Sequence, residues 1–271
     1  MTLKKRATKS IAIALIGVTV SAPIFNTVSA MERTELNAEV NYNTISDEQN
    51  INFEEIRALF DNIEGNTRSN IVEMEEEGYK VVIDKNTGDI EHIYYNNDGS
   101  IKEQYSTNFY KNIDRFEEQF NQTNEIDTRL SGPVIYKNKT SWSPDMLQLQ
   151  VKQVKKNGKT MHQCDMWNSK NKYKQEFRTK YTSSASVMAF DRAINETSNK
   201  WNLLASFTGT AVAVALASFF GPAGSATIAA MKAALIKLGF PGLAVSVDAI
   251  VKRWNAYSNA VRNGDHKYNA A

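Results

Sequence analysis

WNLLASFTGTAVAVALASFFGPAGSATIAAMKAALIKLG, residues 201–239, departs furthest from ordinary soluble composition, and the reading of the chain turns on it. Between Lys200 and Lys232 there is no charged side chain. As one α-helix, residues 201–220 would measure about 30 Å, the thickness of a bilayer's hydrocarbon core. Gly221-Pro222-Ala223-Gly224 then breaks the helix, since proline lacks the N–H and glycine accepts the backbone angles of a turn. A second apolar run, 225–239, stops at Phe240-Pro241-Gly242. The pattern predicts an apolar helical hairpin over 201–239.

Ala205, Gly209, Ala213, Ala217 and Gly221 recur every fourth residue, a ridge of small side chains that lets a second backbone approach closely. Ala226, Ala230 and Ala234 repeat that spacing on the second arm, where Lys232 and Lys237 have stems long enough to carry their charges to an interface. The second arm would be only about 21 Å long, short for a full span. Conditional insertion is therefore expected rather than a permanent two-span anchor. The alternative is that the apolar helix is the central core helix of a soluble domain.

Residues 1–30 have the form of a secretory signal peptide. Lys4, Lys5, Arg6 and Lys9 make the basic start, IAIALIGVTV (11–20) the apolar centre, and Val28-Ser29-Ala30 the small-x-small cleavage site. The expectation is secretion, with the mature extracellular chain beginning near Met31. The single cysteine, Cys164, excludes an intramolecular disulfide, so stability must come from packing.

Charge divides the mature chain. Residues 31–130 carry 23 Asp/Glu against 9 Lys/Arg, and residues 131–271 carry 7 against 19. A basic part that contains the apolar run suits an anionic surface such as bacterial lipid. Opposed charge would equally dock the two parts on each other. Three regions follow: an acidic α+β part (31–130), a basic β-rich part (131–182) and a helical part (183–271).

In the acidic part, Ser46-Asp47-Glu48-Gln49 has the form of a capping box ahead of Phe53, Ile56, Leu59, Phe60 and Ile63, one helical face. Three strands are expected at 79–83, 89–95 and 101–105 on two glycine turns, with Glu75-Glu76-Glu77 in a solvated loop before them. Phe109, Ile113, Phe116 and Phe120 mark a second amphipathic helix. In the basic part, Leu147, Leu149 and Val151 alternate with Gln148, Gln150 and Lys152, and a turn at Asn157-Gly158 leads into a strand that carries His162, Cys164 and Asp165. Lysines 170, 172, 174 and 180 among Tyr173, Phe177 and Tyr181 read as protection of an edge strand. Nucleic acid is not an expected partner of an exported chain.

Val187, Phe190, Ala193 and Ile194 begin the helical part. After Pro241, the stripe Leu243, Val247, Ile250, Trp254, Tyr257 and Val261 defines the best amphipathic helix of the chain, with Lys252, Arg253 and Arg262 off it. Two readings stay open for it: Trp254 lies in a membrane interface, or the stripe packs on the hairpin.

No catalytic constellation is evident. His92, His162 and His266 are far apart, His162-x-Cys164 lacks the second ligand pair that zinc needs, and there is no nucleophile elbow, HExxH or P-loop. Neither an enzyme nor a cofactor or metal site is expected.

Residues 53–105, with the Asp-Lys-Asn-Thr-Gly turn at 84–88, resemble the PepSY-type modules of secreted bacterial proteins, which bind or inhibit a partner domain. The exported, nearly cysteine-free chain resembles the large, unmodified, heat-labile secreted bacteriocins of Gram-positive bacteria, the geobacillin type. TGTAVAVALASFFGPAG (208–224) and IVKRWNAYSNAV (250–261) carry that likeness. It implies killing of related bacteria by membrane disruption, with an immunity protein and a target-cell receptor as further partners. The site residues would be Ala205, Gly209, Ala213, Ala217, Gly221, Pro222, Gly224, Lys232, Lys237 and Trp254. The competing expectation is a soluble secreted binding or inhibitor protein whose alanine-rich helix is ordinary core. In either case the fold class is α+β.

Overall fold

The computed structural model describes residues 51–63, 70–121, 133–140, 147–168, 177–178 and 184–271, and the expected signal peptide, the Ser46 capping box and lysines 170–180 lie outside them. In chain order the elements are α1 (Phe53–Asp61), β1 (Ile71–Glu76), β2 (Tyr79–Asp84), β3 (Asp89–Tyr95), β4 (Ile101–Asn108), α2 (Phe109–Asn121), β5 (Val134–Lys139), β6 (Leu147–Lys156), β7 (Lys159–Asn168), β8 (Phe177–Arg178), α3 (Ala185–Thr208), α4 (Thr210–Phe220), α5 (Ile228–Lys237), a 3-10 turn (Pro241–Ser246) and α6 (Val247–Ala270). The class is α+β, with two antiparallel four-stranded sheets, β1-β2-β3-β4 and β5-β6-β7-β8.

Strand parity builds the first sheet. Tyr79, Val81 and Ile83 of β2 and Ile90, His92 and Tyr94 of β3 point inward, with exposed or half-buried residues between them. The β2–β3 turn is closed by the Gly88 N–H donating to the Asp84 carbonyl at 2.8 Å, with the Asp84 carboxylate accepting from the Asn86 N–H at 2.9 Å. The sheet has four strands rather than three. Residues 71–76 pair with β2 through Ile71↔Asp84 to Glu76↔Tyr79, so Glu75 and Glu76 are strand residues and not a loop. Their charge hid the strand: β1 is an edge, where Glu73 stays in water and meets Lys80 across the ladder at 2.9 Å.

The described start of α1 is capped by Asn52, whose side chain accepts from the Glu55 N–H. Phe53, Ile56 and Phe60 of α1 and Phe109, Ile113 and Phe116 of α2 are buried, and the Phe60 and Phe109 rings stack at 4.4 Å. Arg57 ties the pair outside, reaching Asp114 at 2.8 Å and Glu117 at 2.5 Å.

Two helices of 24 residues each, α3 and α6, are common to both sheets. They run antiparallel. Val187, Phe190 and Ile194 near the start of α3 join Tyr268 and Ala271 near the end of α6 in covering Leu147, Leu149, Val151, Cys164 and Met166 of the second sheet. Trp201 and Leu204 of α3, with Ile250, Trp254, Tyr257 and Val261 of α6, belong instead to the core that contains α1, α2, α4, α5 and the first sheet. Residues 50–271 accordingly form one compact unit. The boundaries near 130 and 183 mark changes of charge and secondary structure, not separate cores, because the acidic part and the helical part bury their apolar faces on each other.

Candidate membrane-active segment

The continuous helix expected over 201–220 is two helices. Residues 201–208 are the last two turns of α3, Gly209 breaks the path at φ 86° and ψ 145°, and α4 leaves at 115° to α3. That conformation is open to glycine and strained for any residue with a Cβ, and a Cβ at Gly209 would meet no atom within 4 Å. The Gly209 N–H still donates to the Ala205 carbonyl at 2.8 Å, so α3 finishes regularly before the turn.

The small-residue ridge is divided by the same break. Ala205 is half-buried on α3, Gly209 is exposed at the corner, and Ala213 and Ala217 are fully buried on α4. Every residue from 212 to 220 is buried. The hairpin partner is also different from expectation. Residues 228–237 do form a helix, but α4 lies chiefly against α2, α3 and β4, and touches α5 less. The acidic part, which the sequence places apart from the apolar run, forms much of its cover.

The loop after α4 is held by side chains from both flanks. Gly221 ends the helix at φ 72°, with its α-carbon so close to β4 that an added Cβ would stand 3.1 Å from Thr107 Cγ2. Pro222 is buried in the turn, and Gly224 folds tightly over the Phe220 carbonyl. From the sheet, Thr107 Oγ1 donates to the Phe219 carbonyl at 2.8 Å and Tyr94 Oη donates to the Ser225 carbonyl at 2.8 Å. From α2, Asn112 Nδ2 donates to the Ser218 carbonyl at 3.0 Å. From α6, Trp254 Nε1 donates to the Gly224 carbonyl at 2.9 Å, and Asn255 bonds both the N–H and the carbonyl of Ala226. The bonds to Ser218 and Phe219 satisfy carbonyls that every helix leaves open at its C-terminal end. Trp254 is fully buried, so its stripe packs on the core in this state.

His92 is the centre of this clamp. Its Nε2 lies 3.1 Å from the Phe219 carbonyl, which can only accept, so Nε2 carries the proton and Nδ1 accepts from Tyr79 Oη at 2.8 Å. The ring stacks on Tyr105 at 4.7 Å and meets Phe219 edge-on at 5.4 Å. Burial holds it neutral and pushes its pKa down to about 4, the Phe219 carbonyl opposing that only in part. The inward parity Ile90, His92, Tyr94 is the signal that could have assigned His92 to the core from sequence.

α5 is enclosed on one side only. Ala230, Met231, Ala233, Ala234 and Leu235 are buried, while Lys232 is exposed and Lys237 half-buried. The N-terminus of α5 is capped by Thr227, whose hydroxyl accepts from the Ala230 N–H.

A second buried polar group lies on the polar side of the alternating strand β6. Gln148, Gln150 and Lys152 are 2–6% exposed, on the side of β6 away from the helices. Lys152 Nζ stands 3.8 Å from Asp165 Oδ2, with side chains 2% and 7% exposed. Burial pushes the Asp165 carboxyl up to about 6, with Lys152 pulling the other way, and neither oxygen has a hydrogen-bond donor among the described residues. His162 and Cys164 lie on β7 of this sheet, whereas His92 lies on β3 of the first.

Among the described residues no single helix is long and apolar enough to cross a membrane, and α3 with α4 reaches that length only as the pair bent at Gly209. Among them, too, no three His, Cys, Asp or Glu side chains converge as a metal site. Comparison with protein-family models, with curated proteins and with solved structures gave no match to this chain.

Proposed function

We propose that this is a secreted antibacterial protein that acts on the membranes of target cells, and that the described fold is its closed form. The observation that carries the reading is the 11-residue α4, uncharged and wrapped by the acidic part, with a positive-φ glycine at each end. Straightening at Gly209 would join residues 201–220 into one helix of about 30 Å, long enough to cross the hydrocarbon core. In the closed form the same apolar surface is buried against α2, α3 and β4. Burial is worth about 25 cal/mol per Å² in either environment, so the balance rests on the bonds around residues 218–226 and on the charge of the lipid. The action is not enzymatic in this reading: His92 has both ring nitrogens engaged in holding the helix.

The same clamp favours a second reading, in which α4 is permanent core and the protein is a secreted binding or inhibitor protein. Dye release separates them. The mature chain, residues 31–271, should release dye from vesicles rich in anionic lipid and release less from zwitterionic ones. Gly209→Ala should leak faster, because the bent form strains alanine by about 1–3 kcal/mol and the straight helix does not. Inactivity on both lipids at concentrations that kill cells would remove the membrane reading in favour of the second.

A further inference from the structure

From Thr197 to Val247 the sequence has no acidic residue, and its charges are Lys200, Lys232 and Lys237 alone. In the fold this stretch reaches the surface at the turn that links α5 to α6. The turn is closed on itself, with the Phe240 N–H donating to the Leu235 carbonyl at 2.7 Å and the Leu243 N–H to the Phe240 carbonyl at 3.0 Å. Phe240 and Leu243 lean on the core, but Val245 is 90% exposed, the most exposed large apolar side chain among the described residues. Ile236, at the end of α5 beside the turn, is 43% exposed. Ile228, Lys232 and Ile236 are four residues apart and share the outer face of α5. Lys252 and Arg253 lie just beyond the turn on α6, where the Arg253 guanidinium sits 4.2 Å over the Phe207 ring at the end of α3. Asp248 is the acid nearest in sequence, exposed in the first turn of α6.

We propose that this tip, Val245 and Ile236 with Lys232 and Lys237, is the surface by which the closed protein docks on an anionic lipid bilayer. The proposal rests on the membrane reading above and adds the site of first contact. Protruding valine and isoleucine beside lysines match a bilayer's interfacial zone, where apolar side chains enter the acyl boundary and ammonium groups meet anionic headgroups. A protein partner of ordinary size would need a broader complementary face than one turn and one helix side. The tip leads directly into α6, whose Trp254 ring stands 5.6 Å from Phe220 at the end of α4, so docking there brings lipid to the helix that helps to hold the clamp.

The test labels residue 245 with a polarity-sensitive fluorophore, using Val245→Cys together with Cys164→Ser, which removes the one native cysteine. A second protein carries the label at Ile101→Cys, at the exposed start of β4. With phosphatidylglycerol vesicles the label at 245 should shift to the blue and that at 101 should not, and phosphatidylcholine should shift neither. Val245→Asp should lower affinity for phosphatidylglycerol vesicles by about tenfold, since it removes an apolar anchor and adds a repelled charge. Binding with no shift at 245, accompanied by dye release, overturns the docking site and leaves the membrane reading standing. A shift at 245 without dye release supports the docking site and removes insertion. No binding to phosphatidylglycerol vesicles at all overturns both.

Discussion

α4 and α5 are neighbours in sequence and alike in composition, short alanine-rich helices with no acidic residue, yet the fold treats them differently. α4 has every residue from 212 to 220 buried, while α5 covers one face and leaves Ile228, Lys232 and Ile236 in water. The difference lies in their neighbours. α4 is closed in by α2 and β4 from the acidic part and by α3, whereas α5 rests on α6 and the β1–β2 edge of the sheet with nothing described outside it. Apolarity alone thus marks a segment that avoids water, and the covering elements decide whether it is core or a surface that can meet something else.

That contrast is most severely tested by placing a carboxylate on each helix. Ala213→Asp buries an unpaired charge at a site 0% exposed and should cost about 4 kcal/mol or more, enough to unfold much of the protein. Ile228→Asp, at a site 52% exposed, should stay within about 0.5 kcal/mol. Urea melts read by circular dichroism check both. An Ala213→Asp protein as stable as Ile228→Asp would mean that α4 is not enclosed.

A smaller effect concerns the clamp at the end of α4. His92 has its pKa depressed from 6.5 to about 4, so its contribution to stability is present above pH 6.5 and is lost as pH falls toward 4. The loss amounts to about 3 kcal/mol. Asp165 has the opposite sign: its pKa is raised to about 6, so its contribution is present below the ordinary carboxylate range and lost as pH rises through 6. Unfolding at pH 7.5 and 4.5 should therefore show a smaller acid loss in His92→Gln than in the wild type. Asp165→Asn should show a larger one, because it removes the group that favours acid. Equal losses in all three proteins would mean that neither group is held as described.

Much of this was legible in the sequence wherever apolar periodicity is clean. The stripes Phe53/Ile56/Phe60, Phe109/Ile113/Phe116 and Ile250/Trp254/Tyr257/Val261 all face the core. β1 was hidden because an edge strand carries its charge outward. The break at Gly209 was hidden because glycine in an alanine-rich run reads as one more small residue, and only the positive φ shows that it serves as a corner. The burial of Gln148, Gln150 and Lys152 was hidden for another reason. Alternation assigns two faces to a strand, but it cannot say whether the polar face is also covered. The clamp was hidden because its members, His92, Thr107, Asn112 and Trp254, are brought together only by tertiary packing.

The central claim is that α4 leaves its cover when the protein meets anionic lipid. Amide hydrogen exchange on residues 31–271, with and without phosphatidylglycerol vesicles, tests it most directly. In solution the amides of 212–220, and those of β3 and β4 that are bonded in the sheet, should exchange slowly. With vesicles, 212–220 should remain slow inside lipid while β3 and β4, stripped of the helix they pack on, exchange much faster. Bound protein that keeps β3 and β4 as protected as in solution would contradict the account, for α4 would then still lie in its closed core.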